Sequence, residues 1–121
     1  MSLCKITLEG IRLFGRHGCE AFEAEKGGNF EMEISVEYEE PREADRDTPA
    51  ERPDYAGLHR HAVHIFTTEK FSYLEPLAAR IAEELLRFEP VLTTVRVAIR
   101  KLRPPVGGPI ESVRVESERH R

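Results

Sequence analysis

Residues 29–39 read NFEMEISVEYE, and every second side chain is apolar: Phe30, Met32, Ile34, Val36 and Tyr38 alternate with Glu31, Glu33, Ser35, Glu37 and Glu39. A period of two puts these sets on opposite faces of an extended chain, so one face packs and the other meets water. The fold is read outward from that half-buried strand. Upstream, residues 3–13 (LCKITLEGIRL) carry Cys4, Ile6 and Leu8 in one phase and Ile11 and Leu13 in the other, with Gly10 at the slip. A slip of one residue at a glycine is what a β-bulge produces. Downstream come two helices. Asp54, behind Pro53, is placed to cap the first, in which Tyr55, Leu58, Ala62, Ile65 and Phe66 keep helical spacing. Ser72 with Glu75 three residues on has the form of a capping box that opens the second. Its stripe of Leu74, Leu77, Ala78, Ile81, Leu85 and Phe88 stops at Pro90. Two strands close the chain: 91–101 sets Val91, Val95, Val97 and Ile99 on one side, and 110–117 turns Val113 and Val115 inward. The expected order is ββααββ, an α+β domain with two antiparallel helices covering one face of a four-stranded antiparallel sheet.

Such a sheet keeps a polar second face and two long edges. A lone chain with open edges risks uncontrolled pairing, and closing the sheet into a barrel with copies of itself removes them. A ring-forming homo-oligomer is therefore expected. At 121 residues, positions 1–121 make a single domain. No apolar run approaches the roughly 20 residues that span a bilayer, and the N-terminus lacks a basic-then-apolar signal pattern, so no membrane partner is expected. With 18 Lys and Arg against 22 Asp and Glu the net charge is −4, and nucleic acid is not expected as a partner because its binding draws on basic excess. Cys4 and Cys19 are too few for a disulfide framework or a zinc site, which points to the cytoplasm. Residues 31–51 are mostly acidic and read as a solvated face, whereas Arg96, Arg100, Lys101, Arg103 and Arg114 surround a Pro/Gly-rich turn.

The chemistry is not announced by any single motif. No nucleophile–base arrangement stands out, and Gly27-Gly28 and Gly107-Gly108 read as turns. On a helix His61 and His64 share a face while His59 points elsewhere, so the three histidines read as a solvated surface and no metal is expected. His17, in a loop before Gly18, reads as a local turn residue. Four positions have a functional reading beside a plain one. Lys101 ends a strand before Pro104-Pro105 and either projects into a cleft or lies on the surface. Tyr55 starts a helix and is either exposed for a ligand or part of the core. Glu75 is either a ligand carboxylate or half of the capping box. Glu23 sits in the loop between the first two strands, with Glu20 and Glu25 as rivals.

Read together, these positions are specific. The string HGCEAFEAEKGGNFEMEI resembles the HG-x4-E-x3-G loop and following strand of dihydroneopterin aldolases. PDYAGL is similar to that family's aspartate/histidine-tyrosine helix start, FSYLEPLAARIAEELL to its leucine-glutamate helix, and IRKLRPPVGG to its lysine-then-proline strand end. Four motifs recur in order and near-identical spacing over almost the whole chain. The resemblance implies the tunnelling fold: subunits closing into a four-membered barrel, two barrels stacking into an octamer, and sites at subunit boundaries. It implies retro-aldol cleavage of a pterin, 7,8-dihydroneopterin, to 6-hydroxymethyl-7,8-dihydropterin and glycolaldehyde in folate biosynthesis, with no cofactor, metal or Schiff base. By position, Glu75 would grip the pterin's guanidine-like edge, with Leu74, Asp54 and Pro53 also on the substrate. Tyr55 from a neighbouring subunit would stack on the ring and help with protonation, Glu23 would hold the side-chain hydroxyls, and Lys101 would relay a proton through water.

The chain departs from the family pattern at Arg52-Pro53, where a threonine and a hydrophobic residue are usual. Pro53 has no N–H to donate, and Arg52 could attract an anionic substituent, which brings a phosphorylated dihydroneopterin into view. Gly28, often Gln in the family, and Cys19 are lesser differences. Two rival functions follow: an epimerase that cleaves and re-adds the same side chain on dihydroneopterin or its triphosphate, and an oligomeric pterin-binding scaffold without catalysis.

Overall fold

A computed structural model of the chain describes residues 2–49 and 52–121. Strand β1 (Leu3–Gly15) leads through a short helix α1 (Ala21–Lys26) into β2 (Gly28–Glu39). A 3-10 turn at Glu43–Asp45 precedes α2 (Tyr55–Thr68) and α3 (Leu74–Phe88), and the chain closes with β3 (Leu92–Leu102) and β4 (Ser112–His120). The four strands pair antiparallel in sequence order, which leaves β1 and β4 as edges. α2 lies over β1, and α3 lies over β3 and β4.

The alternation in β2 is what the sheet is built on. Phe30, Met32, Ile34, Val36 and Tyr38 are buried, and they meet Leu58, Phe66, Leu77, Ile81 and Leu85 from the helices. The slip in β1 is present: pairing with β2 shifts between Leu8 and Ile11, and Gly10 sits at φ 66°, where a side chain would be strained. On the other face Arg100 pairs with Glu31, Arg114 with Glu33 and Arg96 with Glu118, so the polar side of the sheet is laced with cross-strand ion pairs. Most of the acidic run beyond β2 is exposed; its last residues, Ala50 and Glu51, lie outside the described residues.

Several local expectations are corrected. Val91 precedes β3, whose first buried residue is Leu92, and Val113 is exposed in β4. An edge strand presents the end of its inner face to solvent when no helix reaches over it. Tyr55 is 62% exposed and off the core stripe, because it occupies the first helical position, ahead of the turn that packs. Asp54 does cap α2, accepting the Gly57 N–H at 3.0 Å. The second helix has no capping box: its N-cap is Tyr73, without a side-chain bond, and helix begins at Leu74. Ser72 is drawn away because residues 71–72 run alongside residues 17–19, where the Cys19 thiol donates to the Ser72 carbonyl at 3.4 Å. Pro76, inside the first turn of α3, has no N–H, so one donor fewer is left there for a cap to satisfy.

Candidate active site

Lys101 lies near the end of β3 on the inward face, opposite Phe30 of β2. Its ammonium stands 5.9 Å from the Phe30 ring centroid and forms an ion pair with the Glu23 carboxylate. Both side chains are largely covered, 17% and 10% exposed. Glu23 is not in an irregular loop as expected but in α1, where one carboxylate oxygen also accepts the Glu20 N–H at 3.2 Å. A helical turn there fixes which of the three nearby glutamates points inward: Glu23 is buried, whereas Glu20 and Glu25 are exposed. Gly18 makes room for it. A Cβ built on Gly18 would stand 2.5 Å from the Glu23 carboxyl carbon, and its φ of +150° also favours glycine.

The same loop ties this pair to the start of α3. The Gly18 N–H donates to the Phe71 carbonyl at 3.1 Å, and the Phe71 N–H donates to His17 Nδ1 at 3.1 Å. His17 Nε2 donates in turn to the Phe66 carbonyl at 2.8 Å. His17 is thus a buried long-range tie, correcting its reading as a local turn residue. Burial, reinforced by the charges of Lys101 and Lys70, holds its pKa below the usual value against the opposing pull of the Phe66 carbonyl. Past Phe71 come Leu74, which is buried, and Glu75, which is exposed and has no hydrogen-bond or ion-pair partner among the described residues. An unpartnered carboxylate in the first turn of a helix is free for a ligand with paired N–H donors. Tyr73 is 61% exposed, and the Cys19 side chain, with a smaller push from Glu75, holds its phenol above the usual range. Sequence reading passed over Tyr73 and underrated His17; the HG dipeptide was the signal for the latter.

The structure therefore gathers Glu23, Lys101, Leu74 and Glu75 at one end of the domain. Tyr55, Asp54 and Pro53 lie at the other end of α2. Fourteen residues at 1.5 Å each put about 20 Å between the ends of that helix. Asp54 is occupied there: besides capping α2 it stands 3.8 Å from Arg60, and its N–H donates to Glu89 at 2.6 Å. Arg52 donates to the Thr48 carbonyl and Pro53 is buried. Tyr55 borders a groove with Ile11, Leu13 and Val63 beside the open edge of β1. Of the three histidines, His61 packs on Phe88 with ring centroids 4.0 Å apart, and His59 and His64 are exposed.

The model of the dihydroneopterin aldolase (FolB) family matches residues 6–118. A dihydroneopterin aldolase of Streptococcus pyogenes serotype M18 is 34% identical over 119 residues, covering 97% of this chain and 98% of that protein. Among solved structures, a candidate dihydroneopterin aldolase of Vibrio cholerae superposes with a TM-score of 0.85 at 19% identity, covering both chains fully. The Escherichia coli dihydroneopterin aldolase, crystallised with neopterin, gives 0.79 at 20% identity over 98% of this chain and 99% of that one.

Proposed function

The chain belongs to the dihydroneopterin aldolase family, and we propose from that premise that it cleaves 7,8-dihydroneopterin by a retro-aldol reaction. The observation that carries the reading is the Glu23–Lys101 ion pair set against a free Glu75 at the adjoining helix start. Cleavage of the C1′–C2′ bond needs a proton removed from the 2′-hydroxyl and a place for the bonding electrons. The N5=C6 imine of the dihydropterin accepts that pair, so the substrate is its own electron sink. The protein has to orient the ring and move one proton. Glu75 takes the guanidine-like edge through two charge-assisted hydrogen bonds, with Leu74 beside it. Glu23 holds the side-chain hydroxyls, and Lys101, through water, carries the proton from the 2′-oxygen and returns it to C1′. The products are glycolaldehyde and 6-hydroxymethyl-7,8-dihydropterin.

Tyr55 completes this site only from another copy, because its own lies a helix length away, farther than one bicyclic ring can bridge. Exposed Tyr55, with Asp54 and Pro53 beside it and the unpaired β1 edge alongside, supports a homo-oligomer whose sheets join at their edges. The ring of four and the stacked octamer belong to this proposal. The experiment is incubation of the purified protein with 7,8-dihydroneopterin and with its triphosphate, followed by chromatography of the pterins. Release of 6-hydroxymethyl-7,8-dihydropterin is expected; formation of the side-chain epimer alone would overturn the aldolase reading.

A further inference from the structure

The dipeptide His17-Gly18 touches both halves of the site. On one side Gly18 lies against the Glu23 carboxyl group. On the other, His17 and Gly18 take both backbone groups of Phe71, the N–H at Nδ1 and the carbonyl by the Gly18 N–H. The α3 start has no side-chain cap of its own to fix where Leu74 and Glu75 stand. A backbone N–H can only donate and a carbonyl can only accept, so one tautomer fits: Nδ1 bare, Nε2 carrying the hydrogen. The ring is further pinned edge-on to Phe66, with centroids 4.6 Å apart, and to Phe30, 5.9 Å away, the same ring that Lys101 stands over.

We propose that His17 is a positioning residue: by accepting the Phe71 N–H while donating to the Phe66 carbonyl, it fixes the Glu75-bearing start of α3 relative to the Glu23–Lys101 pair. The inference rests on the reading above, in which Glu75 binds the pterin and Lys101 moves the proton. Packing by the aromatic rings would hold an apolar side chain of the same size equally well. What the imidazole adds is a fixed distance between the segment that grips the ring and the group that acts on its side chain.

The test uses three variants. In His17→Asn the amide oxygen takes the place of Nδ1 and keeps the Phe71 bond. In His17→Gln the amide nitrogen reaches the place of Nε2 and keeps only the Phe66 bond, and His17→Phe keeps neither. KM and kcat for 7,8-dihydroneopterin, the Kd for neopterin and the melting temperature are measured on each. Loss of the Phe71 bond should raise KM and the neopterin Kd about tenfold in the Gln and Phe variants, the equivalent of one hydrogen bond, with the Asn variant within about threefold of wild type. Gln and Phe variants that melt lower yet bind neopterin with the wild-type Kd would make His17 merely structural and overturn the proposal. Should those two not fold, the Asn variant decides: a tenfold rise in its KM overturns the role of the Phe71 bond, and an unchanged KM supports it. Wild-type protein that binds neopterin but cleaves nothing would sink the proposed activity, and the neopterin Kd would still report on His17.

Discussion

Replacing Lys101 by Met and Glu23 by Gln, singly and together, measures how strongly the two groups at the base of the site depend on each other. Their side chains are 17% and 10% exposed, so solvent screens the pair only partly. Two unit charges about 4 Å apart attract by about 4 kcal/mol at an effective dielectric near 20. Removing one partner of a fully buried pair costs about 3–5 kcal/mol, most of it from stranding the other charge. Allowing for the residual exposure, each single replacement should cost about 2–4 kcal/mol, or about 10 °C in melting temperature for a chain of this length. The double replacement strands nothing and should cost little more than one single, leaving a coupling of about 2–3 kcal/mol. Urea unfolding followed by far-ultraviolet circular dichroism at one fixed protein concentration reads all four proteins, the chain having no tryptophan to report by fluorescence. Additivity to within about 0.5 kcal/mol would refute the reasoning, since independent sites behave that way.

Three further outcomes are expected. Asp54→Ala removes the cap on α2 and should lower stability by about 1 kcal/mol in the same urea titration. His17, whose pKa is held down mainly by burial, stays neutral in the folded chain at pH values where the unfolded chain takes up a proton. Stability should therefore be at its full value above about pH 6.5 and fall as the pH drops from there through the lowered folded-state value. Lys101 and Lys70 face the ring and deepen this effect, while Glu23, the nearby acid, is committed to Lys101; His17→Asn should flatten that part of the stability–pH curve. Finally, Tyr55→Ala and Lys101→Ala proteins should each be nearly inactive, and dissociating, mixing and reassembling them should restore activity, because some boundaries then combine an intact Tyr55 with an intact Lys101. A mixture that stays dead would place Tyr55 and Lys101 in the same copy or outside the site.

The sequence by itself determined the elements whose cause is local. The alternation from Phe30 to Tyr38, the bulge at Gly10, the cap at Asp54 and the stripe from Leu74 to Leu85 each follow from periodicity or from one side chain's bonding to its own neighbours, and each stands in the structure. The succession of elements along the chain followed as well, but not the order of strands in the sheet: β2 and β3 pair although both helices lie between them. The tertiary structure alone decided what depends on groups far apart in the chain. Ser72 and Glu75 satisfy a capping pattern, yet the bonds of residues 71–72 to His17, Gly18 and Cys19 override it and leave Glu75 free. Three glutamates near position 23 are equivalent in sequence, and only the turn of α1, the absence of a side chain at Gly18 and the approach of Lys101 from β3 select Glu23. His17 reads as a turn residue until Phe66 and Phe71, 49 and 54 positions away, come within hydrogen-bond distance. Tyr55 shares the spacing of the core stripe, but burial is settled by which turn of the helix meets the sheet. Short-range bonding and periodicity are written along the chain, whereas selection among equivalent side chains is made by whatever the fold brings beside them.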